Sequence, residues 1–153
     1  MIYIECKADR VLASSITNIP GREIIHAGNK SGVCKKLEKN RNCKGLVDED
    51  PWSTDPSYMK KLKRENLSNH ELQIIRDNSS DNCLIVLCPR LEEWILRTVK
   101  EAGIDAKKYN LPDDATKLHR EINLTLGKFE RLIDELKNKN PERLRILKRL
   151  LED

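Results

Sequence analysis

The chain has 153 residues, of which 38% are hydrophobic and 35% charged, and it carries a net charge of +4. That length suits one compact domain with or without a small appendage, and the grouped, periodic apolar residues exclude a disordered chain. Aromatics are only 4% of the residues, so aliphatic side chains must carry the packing, while the mild basic balance is compatible with a phosphate-bearing partner.

The first apolar run, Ile2 to Glu5, reads as a strand that ends in an acid. Residues 9–19 read as a helix capped by Asp9, with Val11, Leu12, Ser15 and Ile16 on one face. Pro20 and Gly21 make a turn, residues 23–26 a second strand, residues 31–40 a helix with Val33, Cys34 and Leu37 inward, and residues 45–48 a third strand. Short strands separated by helices predict a parallel sheet with helices covering it and right-handed crossovers. Beyond a loop at 51–57, residues 57–65 read as a short basic helix. Residues 70–76 and 83–88 read as neighbouring strands, the second ended by Pro89. Residues 90–102 form an amphipathic helix with Leu91, Trp94, Ile95 and Val99 on one face, closed by Gly103.

From Leu111 the texture is helical. Asp113 or Asp114 can cap a helix bearing Leu118, Ile122 and Leu126, and Gly127 interrupts it. Phe129, Leu132, Ile133 and Leu136 line the next stretch. Asn140 and Pro141 read as a cap and first-turn proline for a last helix with Leu144, Leu147, Leu150 and Leu151. The reading is thus an α/β domain over 1–104, a mostly parallel sheet flanked by helices, and a helical extension over 105–153. The extension's leucine-rich faces suit a protein partner or a second copy of the chain.

The five cysteines, Cys6, Cys34, Cys43, Cys83 and Cys88, contain no CxxC pair and read as reduced thiols of a cytoplasmic protein. Cys83 and Cys88 point to opposite faces of one strand. No leader pattern precedes the first strand, and the longest apolar run, residues 84–88, is too short to span a membrane. His26 reads as a packed strand residue. His70 and His119 have no recognisable catalytic partner, and Ser14 and Ser15 lack a nucleophile elbow.

The informative feature is where the acids fall. Glu5 ends the first predicted strand, Asp48 ends the third, and Asp50 follows two residues later. Sites in open α/β sheets form outside the carboxyl ends of the strands, and neighbouring strands lie about 4.8 Å apart. Carboxylates crowded there raise one another's pKa, a conflict that a hard divalent cation resolves. Glu92 and Glu93 open the helix after the last core strand. They read either as favourable charge at a helix N-terminus or as another carboxylate at this edge. Lys7 follows Glu5, and Lys30 lies in the loop after the second strand, at the same edge and facing the site. AGNKSG is not a phosphate-binding loop of the Walker type. Lys60, Lys61, Lys63 and Arg64 form a basic cluster that reads as a solvated face or as a track for a nucleic-acid backbone.

The stretch IYIECKADRVLASSI resembles the start of a Toprim domain, in which a glutamate ends the first strand and a helix follows, and GLVDEDP resembles that family's Asp-x-Asp motif at the end of its third strand. The resemblance spans residues 1–100 and is nearest to small Toprim-like proteins and to the Toprim part of overcoming-lysogenization-defect nucleases. It implies Mg²⁺ or Mn²⁺ dependence and cleavage, joining or synthesis of nucleic acid, with a nuclease as the leading expectation. By motif match it implies a general acid/base role for Glu5 and metal binding by Asp48 and Asp50. Glu92 matches the further acids that nuclease-type members carry after their last core strand, which makes it a candidate ligand for a second metal. One position departs: the family usually has glycine after its glutamate, and this chain has Cys6. That departure favours the alternative of a non-catalytic module that binds nucleic acid or a protein. A haloacid-dehalogenase-like phosphatase, which also uses an Asp-x-Asp pair, expects threonine or serine where this chain has Trp52.

Overall fold

The apolar runs of the first hundred residues become strands of one sheet. In the computed structural model, which describes residues 1–153, these are β1 (Ile2–Ile4), β2 (Ile24–His26), β3 (Lys44–Asp48), β4 (Arg64–Leu67), β5 (Leu72–Asp77) and β6 (Asn82–Leu87). They are ordered β2-β1-β3-β6-β5-β4. The first four in that order are parallel, whereas β5 runs antiparallel to both β6 and β4. The helices are α1 (Lys7–Ile16), α2 (Lys30–Lys39), α3 (Ser57–Lys60), α4 (Leu91–Glu101), α5 (Ala115–Leu124), α6 (Leu126–Lys139) and α7 (Glu142–Glu152). The α/β fold with a mostly parallel sheet is therefore as the sequence predicts. No helix is long and apolar enough to cross a membrane.

Strand side chains alternate between faces, and the core divides accordingly. Ile2, Ile4, Leu46, Ile85 and Leu87 face α1, α4 and the C-terminal helices. Tyr3, Val47, Leu84 and Val86 face Val33 and Leu37 of α2 and Tyr58 and Met59 of α3. Cys83 and Cys88 fall on opposite faces, and all five cysteines are free. Gly45 permits the close approach of α2. A Cβ there would lie 2.7 Å from both Leu84 Cδ1 and Val33 Cγ1. The buried Asn82 amide donates to the carbonyls of Leu37 at 2.8 Å and Asn40 at 2.9 Å, which closes the C-terminal end of α2.

Several boundaries differ from the sequence reading. Cys6, not Asp9, is the N-cap of α1. Asp9 sits at the third helical position and accepts from the Cys6 N–H at 3.0 Å. The 57–65 segment is helical only to Lys60, and Arg64 opens the edge strand β4, paired with β5 from Arg64↔Ile75 to Leu67↔Leu72. An edge strand that leaves Glu65 and Asn66 in solvent has no apolar alternation to read, and its charges also deter further strand pairing. The break between α5 and α6 falls at Thr125 rather than Gly127. Asn140 (φ 52°) ends α6 in the left-handed region, and Pro141 holds the N-cap position of α7. His26 is exposed at the end of β2.

The apolar faces of the extension, read as docking surfaces, turn inward. Leu118, Ile122, Phe129, Leu132, Ile133, Leu136, Leu144 and Leu147 belong to the same cluster as Leu12 and Ile16 of α1 and Trp94 and Ile95 of α4. Arg143, almost wholly buried on α7, donates to Thr98 Oγ1 at 3.1 Å and to Glu71 Oε1 at 3.1 Å. Its guanidinium also lies 5.1 Å from the centre of the Trp94 ring. Truncation of Phe129, fully buried in this cluster, is expected to cost about 3–5 kcal/mol. Urea unfolding of Phe129→Ala should show one transition at a lower midpoint.

Candidate functional site

Parallel pairing of β1 with β3, in the register Ile4↔Leu46, brings the acids after these strands together. Glu5 Oε2 accepts the Asp48 N–H at 3.0 Å, so the first acid is bonded to the backbone of the second. Asp48 Oδ1 accepts the Leu91 N–H at 2.9 Å and so satisfies an amide at the start of α4. The loop after β3 is held by Glu49 N–H to the Leu87 carbonyl at 2.9 Å and Asp50 N–H to the Pro89 carbonyl at 3.0 Å. Asp50 has φ 44°, a left-handed conformation unusual for a residue directly before a proline. Strained backbone of this kind is concentrated at functional sites.

Two further acids complete the cluster. Asp9 is only 1% exposed, and its Oδ1 has no hydrogen-bond partner. Glu92 is 5% exposed, with Oε1 2.7 Å from Nδ1 of His119 on α5 and Oε2 without a partner. Burial pushes Asp48 up to about 9, with the charges of Asp9, Glu5, Glu92 and Asp50 adding to it. Burial also carries Glu5 to about 7 against the pull of the Asp48 amide, with Asp9 and Asp50 pushing further upward. Asp9 rises to about 6, mainly through burial, although its bonds from Cys6 oppose the rise. Asp50 is raised by burial and restrained by Lys30 and Arg90. The Cys6 thiol is raised by burial and by Asp9, and it lies 3.3 Å from Asp9 Oδ2 as a neutral donor.

Lys30 is 7% exposed. Its ammonium donates to the Glu49 carbonyl at 2.6 Å and to Asp55 Oδ1 at 3.2 Å. Arg64 donates to Asp55 Oδ2 at 2.8 Å and to Gln73 Oε1 at 2.9 Å. Burial works upward on Asp55, yet these cations hold it below the ordinary carboxylate value. Lys30 and Arg64 thus tie down the loop after β3 through Asp55. A cleft of about 280 Å³ opens between this loop and the start of α2, lined by Glu5, Asn29, Lys30, Asp50, Ser53 and Thr54.

The remaining residues singled out from the sequence lie apart from the cleft. Lys7 is exposed on the first turn of α1 and lines a separate groove with Arg10 and His26. Lys60, Lys61 and Lys63 are exposed, with the Lys61 ammonium 5.6 Å from the centre of the Tyr58 ring. Asp9 and His119 were not legible as site residues. Asp9 passes for a helix cap, although it stands one helical turn beyond Glu5, and His119 reaches Glu92 from 27 residues away in sequence. No three His, Cys, Asp or Glu side chains already stand in metal-ligand geometry. Comparison with family models, with curated proteins and with solved structures returns no match.

Because Glu5 and Asp48 have raised pKa values, the folded chain keeps protons that the unfolded chain has released. Stability from this source is complete below about pH 4 and is lost as pH rises through about 7 and then about 9. Without added cations, urea unfolding should show stability falling between about pH 5 and about pH 9. Asp48→Asn keeps an oxygen acceptor for the Leu91 N–H and removes the charge, so its curve should be flatter. It should be more stable than the native chain at the alkaline end, by on the order of a few kcal/mol.

Proposed function

We propose that the chain carries out divalent-metal-dependent phosphodiester chemistry on nucleic acid, as a nuclease. The observation that supports this reading is the convergence of Glu5, Asp48 and Asp50 at the carboxyl edge of adjacent strands, backed by Asp9 and Glu92, each with one buried oxygen that lacks a partner. The resemblance to Toprim domains points the same way. The donor set is all carboxylate oxygen, which matches Mg²⁺ or Mn²⁺ rather than a soft metal. Asp48 and Asp50 would hold the cation, with Glu92 as the candidate ligand for a second. A bound cation supplies charge neutralisation and polarisation of a phosphodiester oxygen.

The chain's own residues divide the remaining tasks. Glu5, placed near neutrality and anchored by the Asp48 amide, takes or gives a proton at its carboxylate. Lys30 acts as a positioning residue, because its ammonium holds the Asp50 loop through Glu49 and Asp55. The exposed Lys60, Lys61 and Lys63, with Arg64 beside them, offer positive charge to a phosphate backbone on the α3 side of the sheet, and Lys7 does so separately on the α1 side.

A non-catalytic module that binds nucleic acid or a protein is the second reading. It is favoured by Cys6 beside Asp9, in the position where Toprim domains usually carry glycine. Incubation with supercoiled plasmid, single-stranded DNA and RNA in Mg²⁺ or Mn²⁺ separates the two. Cleavage is expected in the native chain and a loss of more than about a hundred-fold in Asp50→Asn, beyond the cost of losing an outer-shell partner. Intact metal binding with no cleavage in any lane would favour the module, and unchanged metal affinity in both Asp48→Asn and Asp50→Asn would refute the site.

A further inference from the structure

Few large apolar side chains are exposed, and one of them, Trp52 at 67%, lies two residues beyond Asp50. Its turn is fixed by the Ser53 N–H to the Asp50 carbonyl at 2.9 Å. The Arg90 guanidinium lies 5.4 Å from the centre of the Trp52 ring. Arg90 is itself held by Glu93 Oε1 at 2.5 Å and Oε2 at 3.0 Å. It directly precedes Leu91, whose N–H binds Asp48. The indole is therefore positioned, backed by a fixed cation, and joined through both neighbouring segments to the carboxylate cluster.

A hydrated indole beside a guanidinium offers two things to a nucleic acid: a π-face on which any base can stack, and positive charge next to it. Bases of a duplex already have both faces covered by their neighbours, so only an unpaired base can reach the ring. We infer that Trp52, with Arg90, is a stacking platform for an unpaired nucleobase, so that the substrate of this edge is single-stranded nucleic acid. This rests on the phosphodiester reading above and extends it to strandedness.

Of the two tryptophans, Trp94 is fully buried and donates to the His70 carbonyl, so a ligand-dependent change in fluorescence reports Trp52 while Trp94 reports folding. The native chain is titrated in EDTA with an oligodeoxyribonucleotide, the matching oligoribonucleotide and the corresponding duplex, each about twelve nucleotides long, a span within that of such sites. Single strands of one or both sugars should quench the emission and the duplex should not. Read by the fluorescence anisotropy of an end-labelled oligonucleotide, Trp52→Ala should bind the single strand about five-fold to about a hundred-fold more weakly than the native chain, while Trp52→Phe keeps most of the affinity. Unchanged affinity in Trp52→Ala, equal quenching by the duplex, or no binding of either single strand would overturn the inference. Metal-dependent cleavage together with native-like binding by Trp52→Ala would remove the stacking site and leave the phosphodiester reading standing. Weakened single-strand binding by Trp52→Ala in the anisotropy titration, without cleavage in metal by the native chain, would do the reverse.

Discussion

The hydrogen bond from the Asp48 N–H to Glu5 Oε2, at 3.0 Å, is the constraint on which the rest of this edge depends. It joins the end of one parallel strand to the end of its neighbour through an acid rather than through the sheet ladder. Asp48 in turn accepts from Leu91, so the same two residues set where α4 begins. That placement delivers Glu92 to the cluster and Arg90 to Trp52. An acid that caps a helix while crowded by other acids works against its own charge. Asp48 accordingly holds its proton to about 9, well above the usual carboxylate range.

The fold offsets that repulsion only in part. Lys30 and Arg90 are the cations that act on Asp50, and Lys30 also draws Glu5 downward. Lys30 and Arg64 both bond Asp55 and so tie down the loop that carries Asp50 in its left-handed conformation. The helical extension closes the opposite flank, where His119 of α5 meets Glu92. Its helices share a single apolar cluster with α1 and α4, and the buried Arg143 pins α7 to the Thr98 hydroxyl. The extension thus contributes a contact to the acid cluster as well as apolar burial.

Much of this was legible in the chain because short apolar runs and strand-end acids are local signals. Glu5, Asp48 and Asp50 could be placed at the carboxyl ends of strands from the alternation of IYIE and GLVD with the helices between them, while the pairing of those two strands is a finding of the structure. β4 was not legible, because an exposed edge strand such as Arg64–Leu67 lacks an apolar face and its charges read as a helix. Asp9 was misplaced by its own chemistry, since a carboxylate in a first helical turn has a sufficient local role as a cap. His119, Trp52 and the commitment of Lys30 to Glu49 and Asp55 depend on contacts between distant segments, which no spacing along the chain encodes.

The central proposal is that a divalent cation displaces the protons that burial keeps on Glu5 and Asp48 near neutral pH. It is tested most directly by calorimetric titration of Mg²⁺ near neutral pH in buffers of differing ionisation enthalpy, which counts the protons released. The account predicts release of about one proton per cation bound, reduced in Asp48→Asn. Binding with no proton release, or no binding at all, would contradict it.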